Sequence, residues 1–414
     1  MQGKTISGGD HQMKAVFTNE ELHRYSEVLL WGLKKARTKR FRKGDLVLIR
    51  FNVAAIELAE IIHARLLDMG MNPVLRMSPT AKMEFDFYGM ATGKQLVFQA
   101  PGDQDLMENL NGNIYLHAPE SLTHLRSVDP KKIGKALVAR KPLREILVKR
   151  EEQGLYGWTL CTFPTLELAK QARLTLERYT EQIVKACFLD HSDPVAEWTR
   201  VFKEANAIKK WLNGMDIASL HIESAHADLV VTPGKQRKWI GVSGHNIPSF
   251  EVFISPDWKG TCGRYFADQP SYRNGNYVKG LQLLFERGSV VSVAADEGET
   301  FVKQQIAMDR GAQRLGEFSL TDKRFSKIDT FMADTLFDEN HGGRHGNCHI
   351  ALGASYSDTF DGPAAELTKE KKRRLGFNDS ALHWDLVNTE EKRVTAHLAS
   401  GKTITIYEDG MFTY

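Results

Sequence analysis

Cysteine is scarce in this sequence, and its few copies are widely spaced. The 414 residues contain four cysteines, Cys161, Cys187, Cys262 and Cys348, and no two of them form a C-x-x-C pair. This spacing argues against a zinc ribbon and against a disulfide-rich secreted scaffold. Reduced thiols in a cytoplasmic protein are therefore expected.

The sequence also lacks several motifs that mark other protein classes. No stretch approaches the roughly 20 apolar residues needed to cross a bilayer. The first ten residues, expected to be a flexible polar lead-in, have no signal-peptide core. There is no G-x-x-x-x-G-K-[ST] phosphate loop and no G-x-S-x-G elbow. The formal net charge of +3 gives no preference for polyanions, so we expect neither a nucleic acid nor a membrane as partner.

The length and the pattern of the first half predict an α/β domain. A chain of 414 residues is long for one core, so two domains are expected. Apolar residues at helical spacing in 19–33 and 54–69 alternate with the strand-like runs 46–51 and 72–76. Such alternation is typical of a parallel sheet covered by helices.

The chain changes character near Gly214. Helical patterns fill 165–210, whereas short strands such as 219–223, 228–231 and 289–294 dominate afterwards. We therefore predict an α/β N-terminal domain, residues 1–214, that shapes access and assembly. A β-rich α+β C-terminal catalytic domain, residues 215–414, follows it. The basic run 369–374 is interpreted as an exposed turn or loop.

Histidines and acids concentrate in the C-terminal half. In His383-Trp-Asp385 both polar side chains would share one face of a strand, because strand side chains alternate. Imidazole and carboxylate donors together suit zinc, cobalt or manganese, whereas an all-oxygen set would favour magnesium or calcium. The segment therefore suggests a metal site, although so short a motif also occurs as a surface dipeptide.

Two glutamates lie where a lone charge would be costly. Glu251 sits within the apolar and aromatic run Ser249–Ile254, and Glu317 lies between a glycine and the largely apolar segment Phe318-Ser-Leu320. A buried carboxylate requires a cation. Each glutamate could instead face solvent on a strand or pair with Arg264 or Arg314.

Taken together, these segments resemble one family as an ordered set. The chain contains, in order, Asn246-Ile-Pro-Ser-Phe-Glu251, Leu315-Gly-Glu317, Asp338-Glu339-Asn340, Cys348-His349-Ile-Ala-Leu-Gly353 with Tyr356, and His383-Trp-Asp385. This order, over roughly 244–388, is similar to that of the M29 metalloaminopeptidases. The resemblance implies a cytoplasmic, homodimeric exopeptidase that acts on short peptides with a free N-terminus.

The resemblance also implies the residues of the site. A pair of divalent ions, zinc, cobalt or manganese with magnesium as a further possibility, would be bound by six residues: Glu251, Glu317, Glu339, His349, His383 and Asp385. Tyr356 would lie beside them as a catalytic residue that donates a hydrogen bond to the oxyanion. Glu317 or Glu339 would take the proton from the attacking water.

The sequence departs from the family pattern after Glu339. The segment His341-Gly-Gly-Arg-His345-Gly-Asn347 separates the acidic triplet from Cys348-His349, whereas the two lie close together in the family. Its glycines could let the loop fold back, since glycine tolerates positive φ. We expect His341 and His345 to be exposed loop residues.

Two other classes of function stay open at this point. An iron-dependent ring-cleaving dioxygenase of related fold would need two histidines and one carboxylate, which His349, His383 and Asp385 would supply. A binding protein would use the metals only to hold its fold. The additional acids Glu251 and Glu317 count against the first alternative, and Tyr356 counts against the second.

Overall fold

The computed structural model of the protein describes residues 16–363 and 366–414, so the predicted lead-in at residues 1–10 lies outside the described residues. The first helix begins with a capping box, in which Thr18 and Glu21 satisfy each other's backbone amides. The helices are α1 Asn19–Ala36, α2 Ile56–Asp68, α3 Ala81–Met90, α4 Gly93–Leu96, α5 Asp103–Asn109, α6 Pro130–Glu152, α7 Leu166–Gln171, α8 Leu176–Ala186, α9 Pro194–Asn213, α10 Glu299–Ile306, α11 Thr335–Asp338 and α12 Lys369–Leu375.

The strands become short and frequent after α9. They are β1 Leu46–Phe51, β2 Asn72–Met77, β3 Gly112–His117, β4 Gly157–Thr162, β5 Ile217–Ser224, β6 Asp228–Val231, β7 Asn246–Ile247, β8 Glu251–Ile254, β9 Cys262–Ala267, β10 Ser271–Arg273, β11 Asn276–Val278, β12 Leu281–Glu286, β13 Ser289–Ala294, β14 Leu315–Thr321, β15 Asn347–Gly353, β16 His383–Asn388, β17 Lys392–Leu398, β18 Thr403–Glu408 and β19 Met411–Phe412.

The N-terminal half contains the expected parallel sheet. Its strand order is β2-β1-β3-β4-β7, and every neighbouring pair is parallel. The apolar side chains Val47, Ile49, Ile114 and Leu116 are fully buried and belong to the same core as α1 and α2. This part of the fold confirms the prediction of an α/β region.

The C-terminal half is rich in β-strands, as predicted, and its two larger sheets are antiparallel. One sheet has the order β13-β12-β9-β6-β5-β17-β18-β19, and a second has the order β16-β15-β14-β8. Every residue of β14 and β15 is buried. The four-stranded sheet therefore lies inside the molecule, where polar side chains must find partners.

Strand β7 crosses the predicted domain boundary. Although it lies beyond Gly214, it adds to the N-terminal sheet, where Asn246 pairs with Leu160 and Ile247 pairs with Cys161. One continuous hydrophobic core also extends from Phe17 to Phe412. The division into domains 1–214 and 215–414 stays a prediction.

The prediction of a loop at 369–374 was wrong. The run forms helix α12, whose N-cap Thr368 accepts a hydrogen bond from the amide of Lys371 and which ends at Gly376 with φ of 78°. Lysine, arginine and glutamate are good helix formers. Their charge indicated exposure correctly, but the cap and the terminal glycine decide the conformation. Among the described residues, no helix is both long and apolar enough to span a membrane.

Candidate metal centre

One face of the four-stranded sheet carries five of the six predicted ligands. Glu251 begins β8, Glu317 lies in β14, His349 lies in β15, and β16 supplies His383 and Asp385. Glu317 and Asp385 are both opposite Ala351, and His349 is two residues away on the same strand. Because side chains alternate along a strand, these donors point to the same side.

A β-bulge at Gly316 positions Glu317. Leu315 pairs with Leu352 and Glu317 pairs with Ala351, so Gly316 is the extra residue in β14. A Cβ atom at Gly316 would lie 2.4 Å from the carbonyl oxygens of Gly353 and Ala354. Only glycine fits this close approach. The glycine of the Leu-Gly-Glu motif is thus part of the site's geometry.

Glu339, the residue that follows α11, reaches the same site. The Asn246 amide donates a hydrogen bond of 3.1 Å to its Oε1, and the Asn347 side chain donates one of 2.8 Å to its carbonyl. Gly343 and Gly346 have φ of 40° and 57°, which lets the segment after Glu339 fold back. The additional residues after Glu339 therefore do not separate it from the other acids.

The two loop histidines are less exposed than predicted. His341 and His345 are both half-buried, and burial lowers the pKa of His341. The carbonyl of His341 accepts a hydrogen bond from Asn347, which draws the loop against the protein. In 16–363 and 366–414, neither histidine belongs to a group of side chains that could hold a metal.

The six side chains form three overlapping groups. Within each group the donor atoms lie within 4.8 Å of one another, and Glu317, His349 and Asp385 each belong to two groups. The groups are Glu251 with Glu317 and His349, Glu317 with His383 and Asp385, and Glu339 with His349 and Asp385.

Contacts between histidines and carboxylates link the first two groups through Glu317. The His349 Nε2 atom is 3.2 Å from Glu317 Oε1 and 3.4 Å from Glu251 Oε2. The His383 Nε2 atom is 3.3 Å from Asp385 Oδ1 and 3.6 Å from Glu317 Oε2.

Two features of this cluster fit a bound cation. Within the described residues, Glu317 Oε2 is buried without a hydrogen-bond partner, which is costly unless a cation lies beside it. His383 Nδ1 is 3.0 Å from the Ala354 carbonyl. That contact leaves Nε2 free on the side of the acids, as is usual for a metal-binding imidazole.

The charges of the cluster shift its titration strongly. Burial, together with the nearby Glu317, raises the pKa of Glu251 to about 8, and burial raises the pKa of Glu339 well above its usual range. Burial opposes the charge of the two imidazoles, but the carboxylates beside them outweigh it and raise the pKa of both His349 and His383 to about 9. Without a cation, these groups hold protons in its place.

Asp385 behaves differently from the other acids. Burial acts to raise its pKa, but the adjacent His383 outweighs that effect and lowers the pKa to about 2. The charge of Arg273, from the hairpin strand β10, acts in the same direction. Sequence reasoning did not single out Arg273, because no motif surrounds it. It also assigned no role to Asn246, although that residue lies within the first motif.

Tyr356 lies at the rim of the site. Its ring centroid is 4.8 Å from that of His383 and 5.7 Å from that of Phe253, and its amide donates to Ser255 Oγ. The residue is 37% exposed. Partial burial and then the charge of Glu317 raise its pKa well above 10, so its hydroxyl remains a proton donor at neutral pH.

Comparison with known proteins decides the family. Residues 18–412 match the family model described as thermophilic metalloprotease (M29). The chain belongs to the M29 family. The resemblance drawn from the ordered motifs is thereby confirmed, and it extends over nearly the whole chain.

Several aminopeptidases are similar to this chain over most of their length. Aminopeptidase T of Thermus thermophilus is 30% identical over 70% of this chain and 71% of its own. Aminopeptidase AmpS of Bacillus subtilis is 25% identical over 90% of this chain and 95% of its own. A solved structure of wild-type AmpT from Thermus thermophilus superposes with a TM-score of 0.75 at 21% identity, covering 96% of this chain and all of that one.

These findings establish the class of enzyme. The M29 match and the aminopeptidase relatives make the chain a metal-dependent aminopeptidase, a hydrolytic exopeptidase. The prediction of a metalloaminopeptidase is confirmed at this level. Neither the ring-cleaving dioxygenase nor the non-enzymatic binding protein finds support in the family or in these relatives.

Proposed function

We propose that the enzyme removes N-terminal residues from short peptides with two divalent ions held by the six clustered side chains. The observation that carries this proposal is the sharing of Glu317, His349 and Asp385 between overlapping groups of donors. Carboxylates with two oxygens suit a pair of ions roughly 3.5–4 Å apart. The mixed imidazole and carboxylate set favours zinc, cobalt or manganese, with magnesium as a weaker candidate.

The remaining roles follow from the chemistry of peptide hydrolysis. When bound, the ions would supply an activated water and polarise the scissile carbonyl. Glu317, whose Oε2 has no hydrogen-bond partner among the described residues, is proposed to take the proton from the water and return it to the leaving amine. The Tyr356 hydroxyl is proposed to donate a hydrogen bond to the carbonyl oxygen as negative charge develops there.

Recognition of a free α-amino group would make the enzyme an exopeptidase. Glu251 and Glu339 are the candidates, because both are buried acids and each belongs to only one of the three donor groups. Acetylation removes the charge of the amine and blocks its lone pair. An acetylated peptide would therefore lose the contact that places its first peptide bond at the metals.

Two peptides and a chelator test this proposal. The enzyme is stripped of metal, verified as metal-free by elemental analysis, and reloaded with cobalt, zinc or manganese at increasing ratios. Activity that returns in proportion to two ions per chain supports the pair, whereas full recovery at one ion contradicts it. Mass spectrometry of a ten-residue peptide should show stepwise loss from its N-terminus. Internal cleavage, or equal rates on the N-acetylated peptide, would overturn the exopeptidase proposal.

Assembly and location are also part of the proposal. A homodimer is expected from the family resemblance, and light scattering of the purified protein tests it. A cytoplasmic location is supported by the cysteines, all four of which are free in the described structure. Fractionation of cells that express the protein tests that location.

A further inference from the structure

One row of residues crosses the parallel sheet towards the metal centre. Arg50 pairs with Tyr115, Tyr115 with Leu160, and Leu160 with Asn246. Residues in register on parallel strands point to the same face. Each of these four retains accessible surface, whereas their neighbours Ile49, Ile114 and Leu116 are fully buried on the opposite face. The row therefore lies at the carboxyl end of the sheet, on a face whose amino end is covered by the apolar cluster of Leu48, Leu110 and Tyr156.

The row ends at the proposed active site. Asn246 donates its hydrogen bond to Glu339 Oε1, which belongs to one of the three candidate metal groups. A second contact lies one row further along, where Thr162 Oγ1 donates to Asp334 Oδ2 at 2.6 Å. Asp334 caps α11, the helix that ends immediately before Glu339. The carboxyl end of this face thus adjoins the proposed metal site.

The Arg50 side chain is held against an aromatic ring on this face but has no ion-pair partner among the described residues. Its guanidinium lies 4.1 Å from the centre of the Tyr115 ring. The Tyr115 hydroxyl is in turn 3.2 Å from His117 Nδ1 and 3.5 Å from Asn52 Oδ1. Arg50 is exposed, and in the part of the chain that the structure describes no carboxylate lies within ion-pair distance of it.

The next residue of the row provides a contrast. Arg76, on β2, pairs in register with Arg50. Its guanidinium is 3.0 Å from Asp103 and is therefore already compensated. Of these two neighbouring arginines, only Arg50 has its charge available for an anionic ligand.

The width of the sheet between Asn246, which contacts Glu339, and Arg50 matches a short peptide. Neighbouring strands lie about 4.8 Å apart, so three strand steps from Asn246 to Arg50 span roughly 14 Å. An extended peptide covers about 3.3–3.6 Å per residue, so roughly four residues span that distance. A peptide whose N-terminus is at the metals would then bring its C-terminal carboxylate to Arg50.

We propose that Arg50 binds the C-terminal carboxylate of peptides of about four residues and so favours them as substrates. This inference rests on the proposed peptidase function and adds a preferred length and a required end group. Arginine suits the role because its planar guanidinium can bind a carboxylate through two hydrogen bonds. Stacking on Tyr115 fixes the guanidinium before the peptide arrives, which lowers the cost of binding.

The test compares free acids with amides. Alanine peptides of two to eight residues are assayed as C-terminal acids and as C-terminal amides, with wild-type enzyme, Arg50→Gln and Arg76→Gln. We expect wild type to prefer the four-residue acid over its amide by roughly tenfold in kcat/KM, mostly through KM, since a charge-assisted contact is lost in the amide. The preference should weaken for the two-residue and the eight-residue peptides.

The variants separate this proposal from the peptidase function. Arg50→Gln should remove the preference for the acid while cleaving the amides as wild type does, and Arg76→Gln should behave as wild type throughout. No acid preference in wild type, or an equal loss on acids and amides in Arg50→Gln, would overturn the carboxylate site. Cleavage of the amides would still show that the peptidase proposal stands, whereas inactivity on every peptide would contradict the peptidase proposal itself.

Discussion

Metal binding to this site should release protons, and their number follows from the raised pKa values. At pH 7, a pKa of about 8 leaves Glu251 roughly nine-tenths protonated, and values of about 9 leave His349 and His383 almost fully protonated. Metal ligands must be deprotonated. Loading the metal-free enzyme at pH 7 should therefore release at least about three protons per chain, roughly three from these groups and a further contribution from Glu339, whose pKa burial also raises.

The assay is calorimetric titration of cobalt into metal-free enzyme. Repeating the titration at pH 7 in two buffers of different ionisation enthalpy gives the number of protons released. The apparent affinity should rise steeply between about pH 6 and pH 9 and level off only above about pH 10, where these three groups have lost their protons.

A control variant removes one of the contributing groups. Glu251→Gln carries no titratable carboxyl group, so its titration should release about one proton fewer at pH 7. Release of less than one proton by the wild-type enzyme, or an affinity independent of pH over this range, would refute the reasoning. In that case the metal would not displace protons from these acids and imidazoles.

Three further outcomes follow from the same site. Tyr356→Phe should keep its metal but lose roughly 10²-fold in kcat, the scale of one oxyanion donor, and wild-type turnover would remove its catalytic role. Gly316→Ala should destabilise the protein by about 1–3 kcal/mol in urea unfolding and weaken metal binding, because the added Cβ atom would meet two carbonyl oxygens. Gly89→Ala is the control, since a Cβ atom there meets nothing within 4 Å. The free energy of unfolding of the metal-free protein should fall from pH 6 to 9, because the raised pKa values of Glu251, His349 and His383 make the folded state bind more protons than the unfolded chain. An unfolding free energy that rises over this window would contradict the prediction.

Much of the candidate site could be predicted because its signals are local. Alternation along a strand is enough to place His383 and Asp385 on one face, and the observed strand β16 does so. A carboxylate within an apolar run signals a charge that needs a partner, and Glu251 is indeed buried beside an imidazole. The order of the motifs then indicated the family.

What could not be predicted depends on contacts between distant segments. Glu339 is held by Asn246 and Asn347, and nothing in the sequence around it shows that these side chains converge. The half-burial of His341 depends on the same fold-back of the loop. Helix α12 was missed because charge was taken as evidence for a loop, whereas Thr368 and Gly376 determine its ends.

Strand β7 has a consequence for how the protein can be divided and how it can move. If the chain were cut near Gly214, β4 would lose its neighbour and present an open strand edge, which invites aggregation. A fragment 1–214 is therefore a poor candidate for separate expression. Because β7 follows Gly214 in the chain but pairs with β4, a hinge motion at Gly214 would have to break the pairing of Asn246 with Leu160. We therefore expect peptides to reach the site by a route that leaves the β4–β7 pair intact.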